Sequence, residues 1–237
     1  MIILNCEQGT DEWFNARLGV ITMSNAKALI TMNRKGDQYG ATRTSYLNNV
    51  AAEILSGKAS ENISTWQMER GSLLEKYALK AYQAETGIDI ETIGFGYLNN
   101  EMRIGASPDG LSKSGGLEIK CPSPKKHLST LQNGFPKEHN AQIQGNMWIF
   151  ERESWDFVSY CPEFKSYPLY IKTIERDEQV IDKIKTSSES GVLQIYGIIS
   201  RLCNRKYNNR KEIESIGNDA INAVADFFNN EEIEIEL

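Results

Sequence analysis

Apolar positions along the chain follow a helical period in some segments, and other short segments are rich in β-branched and aromatic residues. From Leu74 to Ala81 the apolar residues recur at i, i+3, i+4 and i+7, which predicts a helix over 67–86. Thr10 and Ser24 stand where each could cap the start of a shorter helix. The first half of the chain is therefore predicted to be largely helical before it enters a sheet.

The other segments complete a mixed α/β pattern. Further helices are predicted over 44–55, 137–150, 177–185 and 218–229. Strands are predicted over 91–98, 102–106, 116–121, 154–161 and 167–174. A Gly-rich and Ser-rich hairpin over 109–115 joins the second strand to the third. These elements predict a mixed α/β core.

Length and composition place the chain among globular proteins. Its 237 residues, 40% hydrophobic and 24% charged, suit one large domain and exclude global disorder. Uncharged stretches fall short of the roughly 20 apolar residues that span a bilayer, and the N-terminus lacks the basic region of a signal peptide. We therefore expect a cytoplasmic chain with no membrane contact. The four scattered cysteines are expected to be reduced thiols.

The charge and the histidine count narrow the possible chemistry. A net charge of -6 disfavours coating of nucleic acid by bulk electrostatics, so any contact with phosphate must be local. With two histidines, a three-histidine zinc site is impossible, which leaves carboxylates and lysine as the expected catalysts. The phosphate-binding loop of ATPases is missing from the sequence, so no nucleotide triphosphate is expected.

The most informative motif is Ser107-Pro108-Asp109-Gly110 followed by Glu118-Ile119-Lys120. Because side chains alternate along a strand, Glu118 and Lys120 share one face, and the hairpin can fold Asp109 against Glu118. Two converging carboxylates repel unless a divalent cation lies between them, and oxygen ligands suit Mg²⁺ or Mn²⁺. The motif therefore predicts phosphodiester hydrolysis, with Lys120 orienting or deprotonating the water. An exposed hairpin with solvated charges explains the motif equally well.

Other polar residues are weaker candidates when taken singly. Glu75, beside the apolar stripe of its helix, can supply a third carboxylate, although a surface ion pair is the commoner role of such a residue. His139 and Gln142 share a polar helix face and can hold water or a phosphate oxygen, or can simply be satisfied boundary residues. Lys125 and Lys126 can contact DNA backbone, or can be solvated charges.

Taken together, the motifs resemble those of the phage lambda exonuclease family, the YqaJ-like viral recombinase nucleases of the restriction-endonuclease-like, PD-(D/E)xK superfamily. The blocks that carry the resemblance are 7–9 with Trp13, 17–22 with Ser24, Gly71 with Glu75, 107–111, 116–122, 141–144 with 147–148, and 174–178. The resemblance implies an α/β (α+β) fold with a central mixed β-sheet flanked by helices in a single domain. Residues 1–185 would form the nuclease domain and 186–237 a helical extension of it, which matches the family poorly.

The resemblance also implies roles for individual residues. Two Mg²⁺ or Mn²⁺ ions per site would be held by Asp109, Glu118, the Ile119 carbonyl and Glu75. Lys120 would act on the nucleophilic water, with Gln142 supporting that water or the phosphate.

A 5′-phosphate would be bound by Arg17, Ser24, Ser107 and Lys126. At Lys126 the family pattern has an arginine, so the charge is kept but the bidentate fork is lost. His139 and Lys125 are further candidates for contact with DNA.

The activity implied is digestion of one strand of duplex DNA from 5′ to 3′. Mononucleotides are released, and the remaining 3′ single strand enters phage recombination with a single-strand annealing protein. Family members form a ring of three subunits. Two rival functions stay open, namely an endonuclease or junction resolvase with the same core, and a DNA-binding accessory protein without hydrolysis.

Overall fold

The computed structural model describes residues 1–59 and 66–203, together with residues 211, 214, 215, 217, 218, 221 and 222. Two compact units are present, Met1–Ile199 and Ser200–Leu237. The predicted helix over 218–229 lies largely outside the described residues. In the part that is described, we find no helix long and apolar enough to cross a membrane.

The described residues form seven α-helices and eight strands. The helices are α1 Asp11–Arg17, α2 Ala26–Ile30, α3 Ala41–Ser56, α4 Trp66–Thr86, α5 Pro124–Asn133, α6 Asn140–Phe150 and α7 Glu178–Cys203. The strands are β1 Ile2–Leu4, β2 Ile21–Thr22, β3 Phe95–Tyr97, β4 Ile104–Ala106, β5 Gly110–Leu111, β6 Gly115–Lys120, β7 Ser154–Tyr160 and β8 Leu169–Glu175. The mixed α/β fold class is confirmed.

The strands form two sheets of four strands each, where the sequence suggested one central sheet. One has the order β1-β3-β4-β2 and the other β5-β6-β7-β8. The very short strands β1 and β2 were not predicted, because two or three residues show no periodicity of their own. Their register comes from the partner strands, since β1 pairs with β3 and β2 pairs with β4.

Helices cover both faces of the second sheet. On one face, Ala78 and Tyr82 of α4 pack with Leu117, Ile119 and Val158. The opposite face belongs to the larger core, in which α6 packs through Ile143, Met147 and Phe150 with Trp155 and Phe157 of β7. Because Glu118 pairs with Phe157 in the β6–β7 register, the side chains of Glu118 and Lys120 lie on the α6 face. This arrangement places charged residues inside the sandwich.

Helix α7 runs unbroken through Lys185, where the predicted helix ends. Beyond Lys185 the helix contains small residues, which obscure its apolar periodicity but fit where the helix packs closely against its neighbours. A side chain at Gly191 would stand 3.1 Å from both Ile21 and Leu47. The buried Arg43 of α3 donates to the Ser187 carbonyl at 3.0 Å and to Gln194 at 2.7 Å. Packing against α3 therefore extends the helix where local sequence does not predict it.

Candidate active site

The β5–β6 hairpin brings Asp109 beside Glu118, as the sequence predicted. The predicted partner strand is wrong, because β6 pairs with the short strand β5 inside the predicted turn, whereas β4 lies in the other sheet. Gly110 pairs with Leu117, so one further step along the register sets Asp109 opposite Glu118. Strand β5 begins at Gly110, so it does not extend far enough to pair with Ile119 of β6. The Ile119 N–H donates instead to the Asp109 carboxylate. The Ile119 carbonyl leaves the same edge of β6, because the N–H and C=O of one strand residue point the same way.

Both oxygens of the Glu118 carboxylate have a donor. Glu118 is only 1% exposed. The Lys120 ammonium donates to Oε1, and the side-chain amide of Asn146 on α6 donates to Oε2 at 3.3 Å. A buried carboxylate needs such donors to remain charged away from water. The prediction that Glu118 and Lys120 lie side by side on one strand face is confirmed.

Helix α4 supplies a third carboxylate, that of Glu75. Its middle is fixed to the sheet through Ala78 and Tyr82. Nearer its start, Arg70 donates to the carbonyls of Cys121 and Pro122 at 3.1 and 3.2 Å, directly after β6. Glu75 therefore stands near the end of the strand that carries Glu118 and Lys120, and it interacts electrostatically with both.

The electrostatics show an excess of negative charge. Burial, and then the charge of Glu118, raises the pKa of Asp109 well above its ordinary value. Burial also raises the pKa of Glu75, with Lys120 opposing the shift and Glu118 adding to it. Burial alone would lower the pKa of Lys120, but Glu118, Asp109 and Glu75 outweigh it and the pKa is raised. Three carboxylates thus share one ammonium.

This donor set fits a divalent cation. Carboxylate and carbonyl oxygens are the ligands that Mg²⁺ and Mn²⁺ prefer, and a cation offsets the burial and the carboxylate repulsion that raise the pKa values of Asp109 and Glu75. Over 1–59 and 66–203, no three His, Cys, Asp or Glu side chains already surround a common metal position. Glu118 and Asp109 are instead engaged by Lys120 and by the Ile119 N–H. Cation binding would therefore exchange some of these contacts, with water completing the ligand set.

Two clefts meet at the carboxylates. The first has a volume of about 1160 Å³ and is lined by Arg17, Ser24 and Asp109 among others. The second has a volume of about 870 Å³ and is lined by Lys120 and Lys126 among others. Glu75 and Ile119 line both clefts. A bound polymer can therefore reach the carboxylates from either side.

Three of the residues predicted to bind a 5′-phosphate form one connected group around Trp13. The Arg17 guanidinium lies 4.2 Å from the centre of the Trp13 ring and 3.5 Å from the Ser24 hydroxyl. Ser24 lies in a short 3₁₀ turn before α2, where the sequence had suggested a helix cap. Its hydroxyl therefore has no capping bond and lies 3.1 Å from that of Thr22. Burial lowers the pKa of Arg17, with Tyr46 and Glu53 opposing the shift.

Ser107 joins the same group through hydrogen bonds. Its hydroxyl donates to the Gly94 carbonyl and accepts from the Trp13 indole at 2.7 Å. The indole N–H also lies 3.1 Å from the Gly94 carbonyl. Because the indole can satisfy that carbonyl alone, the Ser107 hydroxyl can turn toward a phosphate oxygen without leaving a buried acceptor unpaired.

The other predicted DNA-contacting residues lie on the side of the second cleft. Lys126 on α5 lines this cleft, and Lys125 is exposed on the same helix. His139 stacks on Phe157 with ring centres 5.4 Å apart, and burial followed by the charge of Lys120 lowers its pKa to about 4. His139 is therefore neutral at physiological pH. The structure does not bring Lys126 into the Arg17 group.

Gln142 and Asn146 complete the polar stripe that starts at His139. Gln142 is half-buried on α6, between His139 and Asn146 on one helix face. The sequence predicts no role for Asn146, which contacts Glu118, or for Arg70, which joins α4 to the residues after β6. The only sequence signal for Asn146 is its spacing of four residues from Gln142. Arg70 gives no signal, because its partners near β6 are main-chain carbonyls about fifty positions away.

The chain is similar in sequence and in fold to known nucleases. Residues 12–153 match the YqaJ-like viral recombinase domain. An alkaline exonuclease (LHK-Exo) from Laribacter hongkongensis is 32% identical with a TM-score of 0.74, covering 86% of this chain and 99% of that chain. The structure of LHK-Exo in complex with dAMP is 33% identical over the same shares, also with a TM-score of 0.74.

A phage-related exonuclease from Haemophilus somnus 129PT shares the fold at 18% identity. Its TM-score is 0.60, covering 77% of this chain and 96% of that chain. Among curated proteins, none matches the sequence significantly.

Proposed function

The chain belongs to the family of YqaJ-like viral recombinase domains and is a DNA exonuclease of the lambda exonuclease kind, and from this premise we propose that it degrades duplex DNA from 5′-phosphorylated ends with divalent cations. One observation carries the proposal, namely the meeting of Asp109, Glu118, Glu75 and Lys120 between two clefts. The first cleft also contains Arg17, the cation suited to a terminal phosphate.

Two Mg²⁺ or Mn²⁺ ions per site would be held by Asp109, Glu118, the Ile119 carbonyl and Glu75. Ions held by these residues would supply Lewis-acid chemistry, namely polarisation of the scissile phosphate, a lower pKa of water and charge neutralisation at the leaving oxygen. Lys120, beside Glu118, orients the attacking water and offsets the charge of the transition state. It can take a proton from that water only when bound cations offset the carboxylate charges that raise its pKa. Gln142, on the helix face that contacts Glu118, supports that water or the phosphate.

The 5′ to 3′ direction of digestion comes from the position of the residues that would bind the DNA end relative to the carboxylates. Arg17 and Ser24, which line the first cleft, would receive the 5′-phosphate together with Ser107, which is bonded to Trp13 of the same cleft. Asp109, the next residue but one after Ser107, also lines this cleft. Lys126 would contact phosphate from the second cleft, with His139 and Lys125 as further contacts with DNA. Cleavage beside the held end releases mononucleotides and leaves a 3′ single strand.

A single-strand annealing protein would then use that strand for phage recombination. We further propose a ring of three copies around the DNA. In such a ring only the channel must be basic, which a net charge of -6 allows.

A matched pair of substrates tests the proposal. Linear duplex with one 5′-phosphorylated end and covalently closed circular duplex of the same sequence are incubated with and without Mg²⁺, and released nucleotides are followed over time. We expect mononucleotides only from the linear DNA and only with Mg²⁺. Nicking of the circle would favour an endonuclease or junction resolvase, and binding without any cleavage would favour a DNA-binding accessory protein.

Arg17→Ala is expected to narrow the preference for 5′-phosphorylated over 5′-hydroxyl ends. A charge-assisted bond to phosphate contributes about 1.5–3 kcal/mol, so the ratio of initial rates on the two ends should fall by roughly ten- to a hundredfold. Arg17→Lys should restore only part of the preference, because the guanidinium fork is lost.

A matched control is Arg103→Ala, which removes an arginine bonded to Tyr196 on α7. Its ratio of rates should equal that of the wild type. Unchanged discrimination in Arg17→Ala would remove Arg17 from the phosphate site.

A further inference from the structure

Asn146, on helix α6, forms a hydrogen bond with Glu118 from outside strand β6. Its amide Nδ2 donates to Glu118 Oε2 at 3.3 Å, and both residues are 1% exposed. We propose that Asn146 is a positioning residue that fixes the Glu118 carboxylate for cation binding. This inference rests on the proposed metal-dependent function.

The two donors to Glu118 come from different elements. Lys120 is two residues further along β6 and its long side chain is partly exposed, so it moves with the strand and can leave Oε1. Asn146 belongs to α6, whose apolar side packs in the main core. The contact from α6 therefore fixes the rotation of the carboxylate plane relative to the whole core, whereas the contact from Lys120 is local to β6.

An amide suits this position better than a charged donor. A second ammonium or guanidinium would compete with the cation for the carboxylate oxygens, and a carboxylate would add to the repulsion among Asp109, Glu118 and Glu75. The neutral Nδ2–H group bonds one lone pair of Oε2 and leaves others for a metal. Hydrogen bonds of this kind orient metal ligands, and their loss typically weakens metal binding or activity about 10- to 100-fold.

The same helix offers a matched control. Gln144 is also 1% exposed and also uses its side-chain amide, but it faces the other way. It donates to the Glu175 carbonyl at 2.8 Å and accepts from the Asp177 N–H at 2.8 Å. Removing either amide leaves buried polar partners unpaired, so both changes should lower stability. Only the change at Asn146 touches a carboxylate of the site.

The experiment compares Asn146→Leu, Asn146→Ser and Gln144→Leu with the wild type in the full chain. Mn²⁺ binding is titrated directly by the electron paramagnetic resonance signal of free Mn²⁺, and the Tm is measured without metal. We expect Asn146→Leu to weaken Mn²⁺ binding about 10- to 100-fold. Asn146→Ser should be intermediate because a hydroxyl can still donate. Gln144→Leu should lower the Tm and keep wild-type Mn²⁺ affinity.

The outcomes separate this inference from the function on which it rests. Wild-type Mn²⁺ affinity in a folded Asn146→Leu protein would overturn the role of Asn146 alone. If that variant does not fold, unchanged affinity in Asn146→Ser overturns it equally. Equal weakening in Gln144→Leu would also overturn it, because the effect would then be a general loss of packing in α6. A wild-type protein that binds no Mn²⁺ would contradict the proposed metal dependence itself.

Discussion

Asp109→Asn is expected to abolish Mg²⁺-dependent digestion of linear duplex while leaving the metal-free protein at least as stable as the wild type. Loss of a charged ligand removes several kcal/mol of transition-state stabilisation, so the rate should fall on the order of a thousandfold or more. Stability is kept because an Asn oxygen can still accept from the Ile119 N–H. Initial rates and the Tm without metal are the two measurements.

The sign of the stability change follows from the pKa of Asp109. Burial and the charge of Glu118 raise this pKa, so the folded state favours the protonated carboxyl. Metal-free protein therefore loses stability as the pH rises from the ordinary carboxyl pKa toward the raised one, and an uncharged Asn removes that loss. Turnover at the wild-type rate would contradict the assignment of Asp109 as a ligand.

A carboxylate of the same sheet serves as the control. Asp156 on β7 accepts from Tyr82 at 2.6 Å and from Thr173 at 2.7 Å, on the strand next to β6. An Asn there places an N–H against one of the two donors and should lower the Tm. Its nuclease activity should persist. The two Asp→Asn changes are thus expected to have opposite effects on activity and stability.

Lys120→Ala is expected to lower kcat about 10²- to 10⁴-fold and to change the affinity for DNA far less. We expect this because the Lys120 ammonium is bonded to Glu118 and interacts with Asp109 and Glu75, where the reaction would take place. A group used on the attacking water contributes in the transition state and little in the ground state. Single-turnover rates and binding to duplex in Ca²⁺ separate the two effects.

Lys126→Ala is the matched comparison, since Lys126 lines the same cleft on α5. It removes the same charge at a position expected to contact phosphate, so affinity should fall more than the single-turnover rate. A Lys120→Ala protein whose only defect was affinity would count against the chemical role of Lys120.

The local sequence predicted those elements whose apolar period or turn residues lie entirely within the element. Helix α4 follows its apolar period, and the β5–β6 hairpin follows its turn residues. The spacing of Glu118 and Lys120 places both on one strand face in any sheet, and the hairpin brings Asp109 to them. Three residues of the site could therefore be predicted before any packing was known.

Only the tertiary structure decided which distant residues join them. Glu75 and Asn146 reach the site from helices on opposite faces of the sheet, and the length of α7 depends on its contact with Arg43. Periodicity shows which side of a helix is apolar, but the partner of that side depends on how helices and sheets pack. The sequence by itself thus determined a hairpin with two acids and a lysine, while the third carboxylate, the amide that holds Glu118 and the two clefts come from long-range packing.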